Sequence, residues 1–515
     1  MKRIGLLLAV WLLLGGLCAQ QPSTYLVSDF KGEALEEMLD LCEKGGLSGL
    51  LQRTPFSSFG YYEWHPDFAP EGDRSVARMV ERAQERGVQL GIFAQTDAIS
   101  LNDAYFSPRY YARLRRAGQV TLFHDIDAEQ GAFAVDPSEV FSQPSTLNLL
   151  LVEGEMIAYG TMEPAQESVI LYRCARGAYG TVASDHGTRA EAYKLWDSPG
   201  RFVAPDGSLR DSVRWHLAQR IEAARLPFVL YSDAPGMNWV DGTVRVRQVE
   251  AWEQEREDYR ARTAAETDLA AAWSLGWYGI HASEGRQPAT TLEELEWFLS
   301  KAAAFDAGYG LVIDRSAVQR HGLLDRMMAL VKAWNAVRDA GILTEQQKED
   351  LKDPYQDWHL EPFGEDSFLL YPIRQSRGYR CPAVKGPALA NWQWKASERC
   401  NLALCVEVKG KGEIRNPSLV LGADTLRFPC AVKAGQRLLC GFNGTLRIVD
   451  ADWHTIKERS VEGLPMLPEG ETEVAFTYEA RGADKAPEVI VRYQTRETPI
   501  PLQLPSERVR PNPLE

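Results

Sequence analysis

Carboxylates, amides, arginines and aromatic side chains recur just after apolar stretches of this 515-residue chain. Ser28 and Asp29 follow "TYLV". Gln52 and Arg53 follow "LSGLL", and behind them the loop "FGYYEWHPDF" carries Tyr61, Tyr62, Trp64 and His65. Gln95 and Asp97 close "VQLGIFA", with Asn102 and Asp103 downstream. Asp233 closes "PFVLYS". Trp277, Tyr278 and His281 belong to or follow "SLGWYGI", with Glu284 close behind, and Asp314 and Arg315 end "YGLVI". Sugars bind by stacking their apolar faces on Trp and Tyr rings while carboxylates and Arg take their hydroxyls, so this mixture suits a carbohydrate site. Each residue also has a plainer reading. An Asp at a strand end caps helices, because its oxygen accepts an orphan backbone N–H. His65 can be a solvated loop residue, and Tyr62 and Trp64 can pack beneath the loop. The weight comes from several such groups at equivalent places.

The elements that must position them alternate. From 24 to about 100 the pattern is strand, helix, strand, helix, strand. The helices "EALEEMLDLCEKGG" and "RSVARMVERAQERG" are amphipathic and stop at Gly. Such spacing predicts parallel βαβ units. Residues 119–195 break the rhythm with "LNLLLVEGEMIAYG" and "SVILYRCARGAYGT", which predict a small antiparallel insertion. The rhythm returns with "SLRDSVRWHLAQRIEAAR" and the strand ending at Asp233. "AETDLAAAW" reads as a helix leading to the strand at 274–280. "TLEELEWFLSKAAAFDAG" is a helix with a Thr cap and an acidic first turn. Six strands are legible, and two degenerate ones would complete a (β/α)8 TIM-like barrel with a β-rich insertion; an open parallel sheet is the alternative. In a barrel, the active site gathers at the C-terminal strand ends, where the residues above lie. From 361 to 500, short strands at regular spacing without helices predict an all-β sandwich. The expected organisation is therefore a leader at 1–19, a barrel domain at 20–360, the sandwich at 361–500 and an irregular Pro-rich tail at 501–515.

A chain of this length exceeds one core, which stops growing at roughly 250–300 residues. A formal net charge of -14 disfavours nucleic acid as a partner. Lys2 and Arg3 precede the apolar run "IGLLLAVWLLLGGL", then "CAQ", the pattern of a signal peptide cut after Ala19. Export to the periplasm or the medium is expected. Lipid anchoring at Cys18 is the lesser alternative, because Leu17 stands where a lipobox has a small residue. No later stretch is long and apolar enough to span a bilayer. Seven further cysteines lack CxxC spacing, so neither zinc nor any other metal or cofactor is expected. Buried thiols with at most one or two bridges are the simplest reading. No HExxH, GxSxG or EF-hand pattern occurs. In "RGAYGTVASDHGTRAEAY" the glycines do not make a phosphate loop, and Arg176, Thr181 and His186 are expected to tie a β-turn together.

The segments "QRTPFSSFGYYEW", "QLGIFAQTDAISLNDAYFSP", "ARGAYGTVASDHG" and "SLGWYGIHASEGRQPATTLEELEWFLSKAAAFDAGYGL", with their order along the chain, resemble the secreted barrel proteins of polysaccharide-utilising bacteria, which are broadly similar to glycoside hydrolases. The resemblance implies an exported enzyme acting on a polysaccharide or oligosaccharide. Hydrolysis needs two carboxyl groups across the scissile bond, one protonated and one ionised. Asp233 and Asp314 are the best pair, with Asp97 or Glu284 as substitutes. The chain departs from related barrels at "SDAPGMNW", where Ala-Pro-Gly replaces the usual Gly and acidic residue. A polysaccharide lyase is the runner-up. It would use Arg53, Gln95 or Asn102 to neutralise a uronate and Tyr61, His65 or His281 as base. A noncatalytic glycan-binding protein is the third reading. Asp29, Tyr62, Trp64, Trp277, Tyr278 and Arg315 complete the expected substrate contacts.

Overall fold

The computed structural model describes residues 24–95, 98–142, 147–198, 202–232, 248–249, 274–285, 287–382, 384–422, 424–460, 466–482 and 486–505. The expected leader with Cys18, the site candidates Asp97 and Asp233, the helix read before 274 and the end of the tail lie outside the described residues. The chain divides into two compact units, residues 1–39 with 48–248 and residues 40–47 with 249–515.

In the first unit, strands β1 (Thr24–Ser28), β2 (Gly49–Gln52) and β3 (Gln89–Gln95) pair in parallel, Tyr25 opposite Gly49 and Gly49 opposite Gln89. Helix α1 (Leu35–Gly45) follows β1, and α2 (Asp73–Glu85) follows β2. β1 and β2 are buried along their whole length, which is why they read as apolar runs rather than alternating ones. In α2, Val76, Met79, Val80 and Ala83 are buried at the spacing of one helical face. Between β3 and the next parallel strand the chain makes the insertion, built from β4 (Arg116–Thr121), β5 (Ala132–Val135), β6 (Leu149–Val152), β7 (Glu155–Ala158), β8 (Thr161–Pro164), β9 (Val169–Tyr172) and β10 (Glu191–Leu195). All their pairings are antiparallel, and Leu122, Phe133, Leu150, Ile157 and Leu171 share a core. Helix α3 (Gly207–Ala223), capped by the Asp206 side chain, leads back to β11 (Phe228–Ser232), which pairs in parallel with β3. A Cβ at Gly91 would lie 2.4 Å from the Phe228 ring, so only glycine lets these strands pack around that ring.

In the second unit, β12 (Ser274–Ile280) and β13 (Gly308–Ile313) are parallel neighbours. Between them runs α4 (Leu292–Ala304), opened by the Thr291–Glu294 capping box, in which each side chain satisfies the other residue's backbone N–H. After β13 come α5 (Arg315–Arg320), α6 (Leu324–Asp339) and α7 (Glu345–Lys352). Two antiparallel sheets follow. One runs from β14 (Asp357–Pro362) and β15 (Ser367–Gln375) to the hairpin Thr445–Val449/Thr455–Ser460. The other is built on Gly386–Ala396, Gly470–Arg481 and Glu413–Leu421. Residues from Cys400 to Val408 alternate buried and half-buried, and Val406, Phe476 and Tyr493 from the two sheets share one apolar core. Parallel α/β segments and a large antiparallel region are thus both present. Among the described residues the parallel strands do not close into a barrel. The seven described cysteines are free thiols. No described helix is long and apolar enough to cross a membrane.

Candidate functional site

At the carboxyl ends of the first unit's parallel strands, the Asp29 carboxylate accepts bonds from the Arg53 guanidinium, with Nε at 3.2 and 3.1 Å and a still closer contact to the terminal nitrogen, and from Thr54 Oγ1 at 2.9 Å. Both charged side chains are about a third exposed. Gln52 is buried beneath them and donates to Phe30 O at 2.6 Å.

The aromatic loop does not act as one surface. Tyr62 is fully buried, its hydroxyl donating to Gln95 O at 2.6 Å. Trp64 is buried against Phe56 and donates from Nε1 to Asp73. His65 is exposed, its Nδ1 accepting from Asp67 N, and the exposed Asn102 donates to Ser57 O at 3.3 Å. Tyr61 is half-buried, stacked on Tyr105 at 4.4 Å and tilted against the His216 ring at 4.3 Å. Burial, then the Tyr110 hydroxyl beside it, pushes the Tyr61 phenol up to about 12. Beneath it lies buried Asp103, accepting from Ser58 Oγ at 2.7 Å and from the backbone N–H groups of Tyr61 and Tyr105. Trp215, 57% exposed, meets His216 edge-on at 4.9 Å and continues the cluster to the surface. Burial, then the Arg220 charge, lowers the His216 pKa. Asp103 stands beside the sequence candidates. Trp215 and His216 could not be placed from sequence, because they lie on a helix more than a hundred residues away. Gln95 Oε1 is buried at the end of β3 with no partner among the described residues.

In the second unit, Trp277 and Tyr278 are buried side by side on β12, Tyr278 stacking on Phe298 at 4.7 Å, so neither ring presents a face to solvent. His281 and Asp314 come together at the strand ends, His281 Nδ1 lying 3.9 Å from Asp314 Oδ2. His281 Nε2 is buried, with no partner among the described residues. Asp314 also caps α5: its Oδ1 accepts from Ala317 N at 2.6 Å and from Ser316 Oγ at 2.8 Å. The cap therefore occupies one oxygen, and the other faces the histidine. His281, against the effect of burial and helped by the Ala317 N–H and the Ser316 hydroxyl, holds the carboxyl at about 2. Glu284 is exposed in a tight bridge with Gln287, and Arg315 is exposed on the first turn of α5.

The densest polar cluster lies in the insertion. Buried Glu155 accepts a bidentate bond from Arg176 (2.8 and 2.9 Å), backbone bonds from Gly177 (2.8 Å) and Ser184 (3.1 Å), and has His186 Nε2 at 2.8 Å. His186 Nδ1 lies 2.9 Å from Glu153, and Thr181 Oγ1 accepts from Met156 N. Burial pushes the Glu155 carboxyl up, but the Arg176 guanidinium, the two N–H groups and the imidazole outweigh it and hold it at about 2. Every acceptor position of that carboxylate is taken, so the cluster ties the segment 176–186 to β7. Among the described residues, no group of three His, Cys, Asp or Glu side chains is placed to hold a metal ion.

No protein family and no curated protein matches the chain. Solved structures similar to it include the α-galactosidase of Lactobacillus brevis (10% identity over 90% of this chain and 56% of that one, TM-score 0.36). Another is the α-galactosidase of Thermus thermophilus in complex with p-nitrophenyl α-D-galactopyranoside (12%, 68% and 65%, TM-score 0.32). A third is a GH36 α-galactosidase of Geobacillus stearothermophilus in complex with raffinose (11%, 90% and 56%, TM-score 0.31). The chain thus spans between 56% and 65% of the length of these structures.

Proposed function

We propose that the chain is an exported carbohydrate-active enzyme that hydrolyses glycosidic bonds of a polysaccharide or oligosaccharide through a carboxylate pair at the C-terminal ends of the strands of a (β/α)8-like domain. The observation that carries the reading is Asp314, held ionised beside His281 with one oxygen free of its capping role. An ionised carboxylate is the nucleophile or the charge-stabilising group that glycoside hydrolysis requires. Held near 2, Asp314 cannot be the protonated partner. That role falls to a second carboxylate, Asp233 first, with Asp97 or Glu284 as substitutes. Within the first unit, taken by itself, the rings of Tyr61 and Trp215 and the polar groups of Asp29 and Arg53 make a surface of the kind that sugars bind. The lyase reading draws less support from the same geometry. Arg53 is already neutralised by Asp29, and a phenol pushed up to about 12 makes Tyr61 a poor base.

The test is product analysis by mass spectrometry after incubation with neutral and uronate-containing polysaccharides. Products that gain water, with rates falling by at least about 100-fold in Asp314→Asn and in Asp233→Asn, are the expected result. Unsaturated products would establish a lyase instead, and affinity without products would reduce the protein to a binder.

A further inference from the structure

The segments that carry His281 and Asp314 are fastened from an unexpected direction. The hairpin Thr445–Val449/Thr455–Ser460 belongs to the antiparallel region, yet its loop, residues 450–454, reaches both segments within the second unit. Asp452 Oδ1 accepts from Ser283 N and from Ser283 Oγ, both at 2.7 Å. Gly322 N, beyond α5, donates to Asp452 O at 2.8 Å. Trp453 Nε1 donates to Ala289 O at 3.4 Å. A Cβ on Gly322 would sit 2.7 Å from His454 N and from the Trp453 carbonyl carbon, so this glycine permits the close approach. Arg320 closes the ring by donating to Ser283 O at 3.1 Å. The loop is itself prefolded: Asp450 Oδ1 accepts from the N–H groups of Asp452 and His454, each at 2.9 Å.

Ser283 is two residues beyond His281, whose backbone is closed by Thr290 through His281 N to Thr290 Oγ1 (2.9 Å) and Thr290 N to His281 O (3.0 Å). The 281–290 loop is therefore closed on itself at its base and across Glu284 and Gln287, and is held from outside by Asp452 and Arg320 at Ser283, by Trp453 at Ala289 and by His321 at Thr290. Asp452 is the tie nearest His281 that takes both the backbone N–H and the hydroxyl of one residue. The ring of His281 makes no hydrogen bond that fixes it among the described residues; only the 3.9 Å approach to Asp314 orients it. Its place is set by the backbone that carries it.

We infer that the 450–454 hairpin loop forms a wall of the candidate site and that Asp452 is a positioning residue, holding the 281–284 segment so that the His281 ring stays beside Asp314. The inference takes the site from the functional reading above, but its test does not need turnover. The full chain, labelled with 13C at aspartate carboxyls, is titrated, and Asp314 is assigned by the signal lost in Asp314→Asn. Wild-type Asp314 is expected to stay ionised down to the lowest pH at which the fold persists. His281→Asn removes the largest cause of its depression and raises its midpoint. Asp452→Ala is expected to raise it too, by about one unit, and to speed hydrogen exchange over 281–285. Asp452→Asn, which keeps an acceptor for Ser283, is expected to restore both. If Asp452→Ala loosens the segment but leaves the Asp314 midpoint at its wild-type position, the hairpin is only a fastening and the inference falls. If Asp452→Ala does not fold, Ser283→Ala gives the same decision, with a smaller shift expected and an unchanged midpoint overturning it. Inactivity toward every glycan, with these shifts in place, would sink the hydrolytic reading and leave the positioning role standing.

Discussion

Asp314 shows how a helix cap and a reactive group can share one carboxyl. Oδ1 serves Ala317 and Ser316, and Oδ2 faces His281. Substitution separates the two jobs. Asn caps as well as Asp, whereas Ala loses the cap at a cost of about 1 kcal/mol. At neutral pH Asp314→Asn is therefore expected to keep the cap, to lower the unfolding midpoint only by the loss of the ionised carboxyl beside His281, and to abolish turnover, whereas Asp314→Ala loses the cap as well and lowers the midpoint further, as thermal denaturation and product assays on the same samples would show. Turnover retained by Asp314→Asn would mean that the cap was its whole role. The sign with pH follows from the depressed carboxyl. The pair stabilises the fold above the ordinary Asp range and loses that contribution as pH falls toward about 2. The sequence showed that Asp314 and His281 end neighbouring strands, and the fold brings them together. It did not show which aromatics turn inward. Trp277 and Tyr278 are consecutive, yet both are buried, because β12 is covered on both faces and alternation loses its meaning there.

At the scale of elements, the insertion depends on one buried node. The segment 176–186 read as a turn tied by Arg176, Thr181 and His186, and those residues do tie it. Their anchor, Glu155, sits 21 residues before Arg176, on a strand that local spacing could not connect to the turn. Glu155→Gln would leave the Arg176 guanidinium, 5% exposed, without its carboxylate. Breaking a buried pair in this way costs about 3 kcal/mol. The expected outcome at neutral pH is loss of hydrogen-exchange protection across 176–186. The difference between wild type and variant is stabilising for wild type above pH 4.5 and shrinks as pH falls toward about 2, because only the folded carboxyl is depressed. A pH-independent difference would show that shape rather than charge holds the knot. The parallel strands at 24–28, 49–52, 89–95, 228–232, 274–280 and 308–313 were legible as apolar runs with turn signals. Of the two further strands that a closed barrel needs, the described residues hold one, the two-residue strand Gln248–Val249 beside Ser274–Ile280 at the edge of the sheet, too short to read from the sequence.

Across the second unit, helical and antiparallel segments are joined through a buried acid rather than a linker. Glu296 on α4, 4% exposed, accepts from Trp334 Nε1 at 3.2 Å and Leu360 N at 2.7 Å, and lies 2.8 Å from His359 Nδ1. Leu360 and His359 are on β14, which pairs with β15 from Asp357–Ile373 through Pro362–Phe368. The composition shift near 361 thus falls inside a strand, one whose inner edge satisfies a helix and whose outer edge needs the chain beyond it. Composition reports where helix-rich sequence gives way to strand-rich sequence; it does not report where contacts are few. A fragment ending at 360 would keep α4 but leave β14 unpaired and the 450–454 loop absent. Each lost bond to a buried polar group costs about 1–3 kcal/mol, and whole domains are stable by only about 5–15 kcal/mol. Such a fragment is expected to lack fixed tertiary structure, seen as loss of the near-ultraviolet circular dichroism of its buried tryptophans and as rapid proteolysis within α4–α7. A fragment that keeps the full chain's near-ultraviolet spectrum and protease resistance would instead make the antiparallel region an independent appendage, and the same result would deprive the hairpin loop of any part in shaping the strand ends that carry His281 and Asp314.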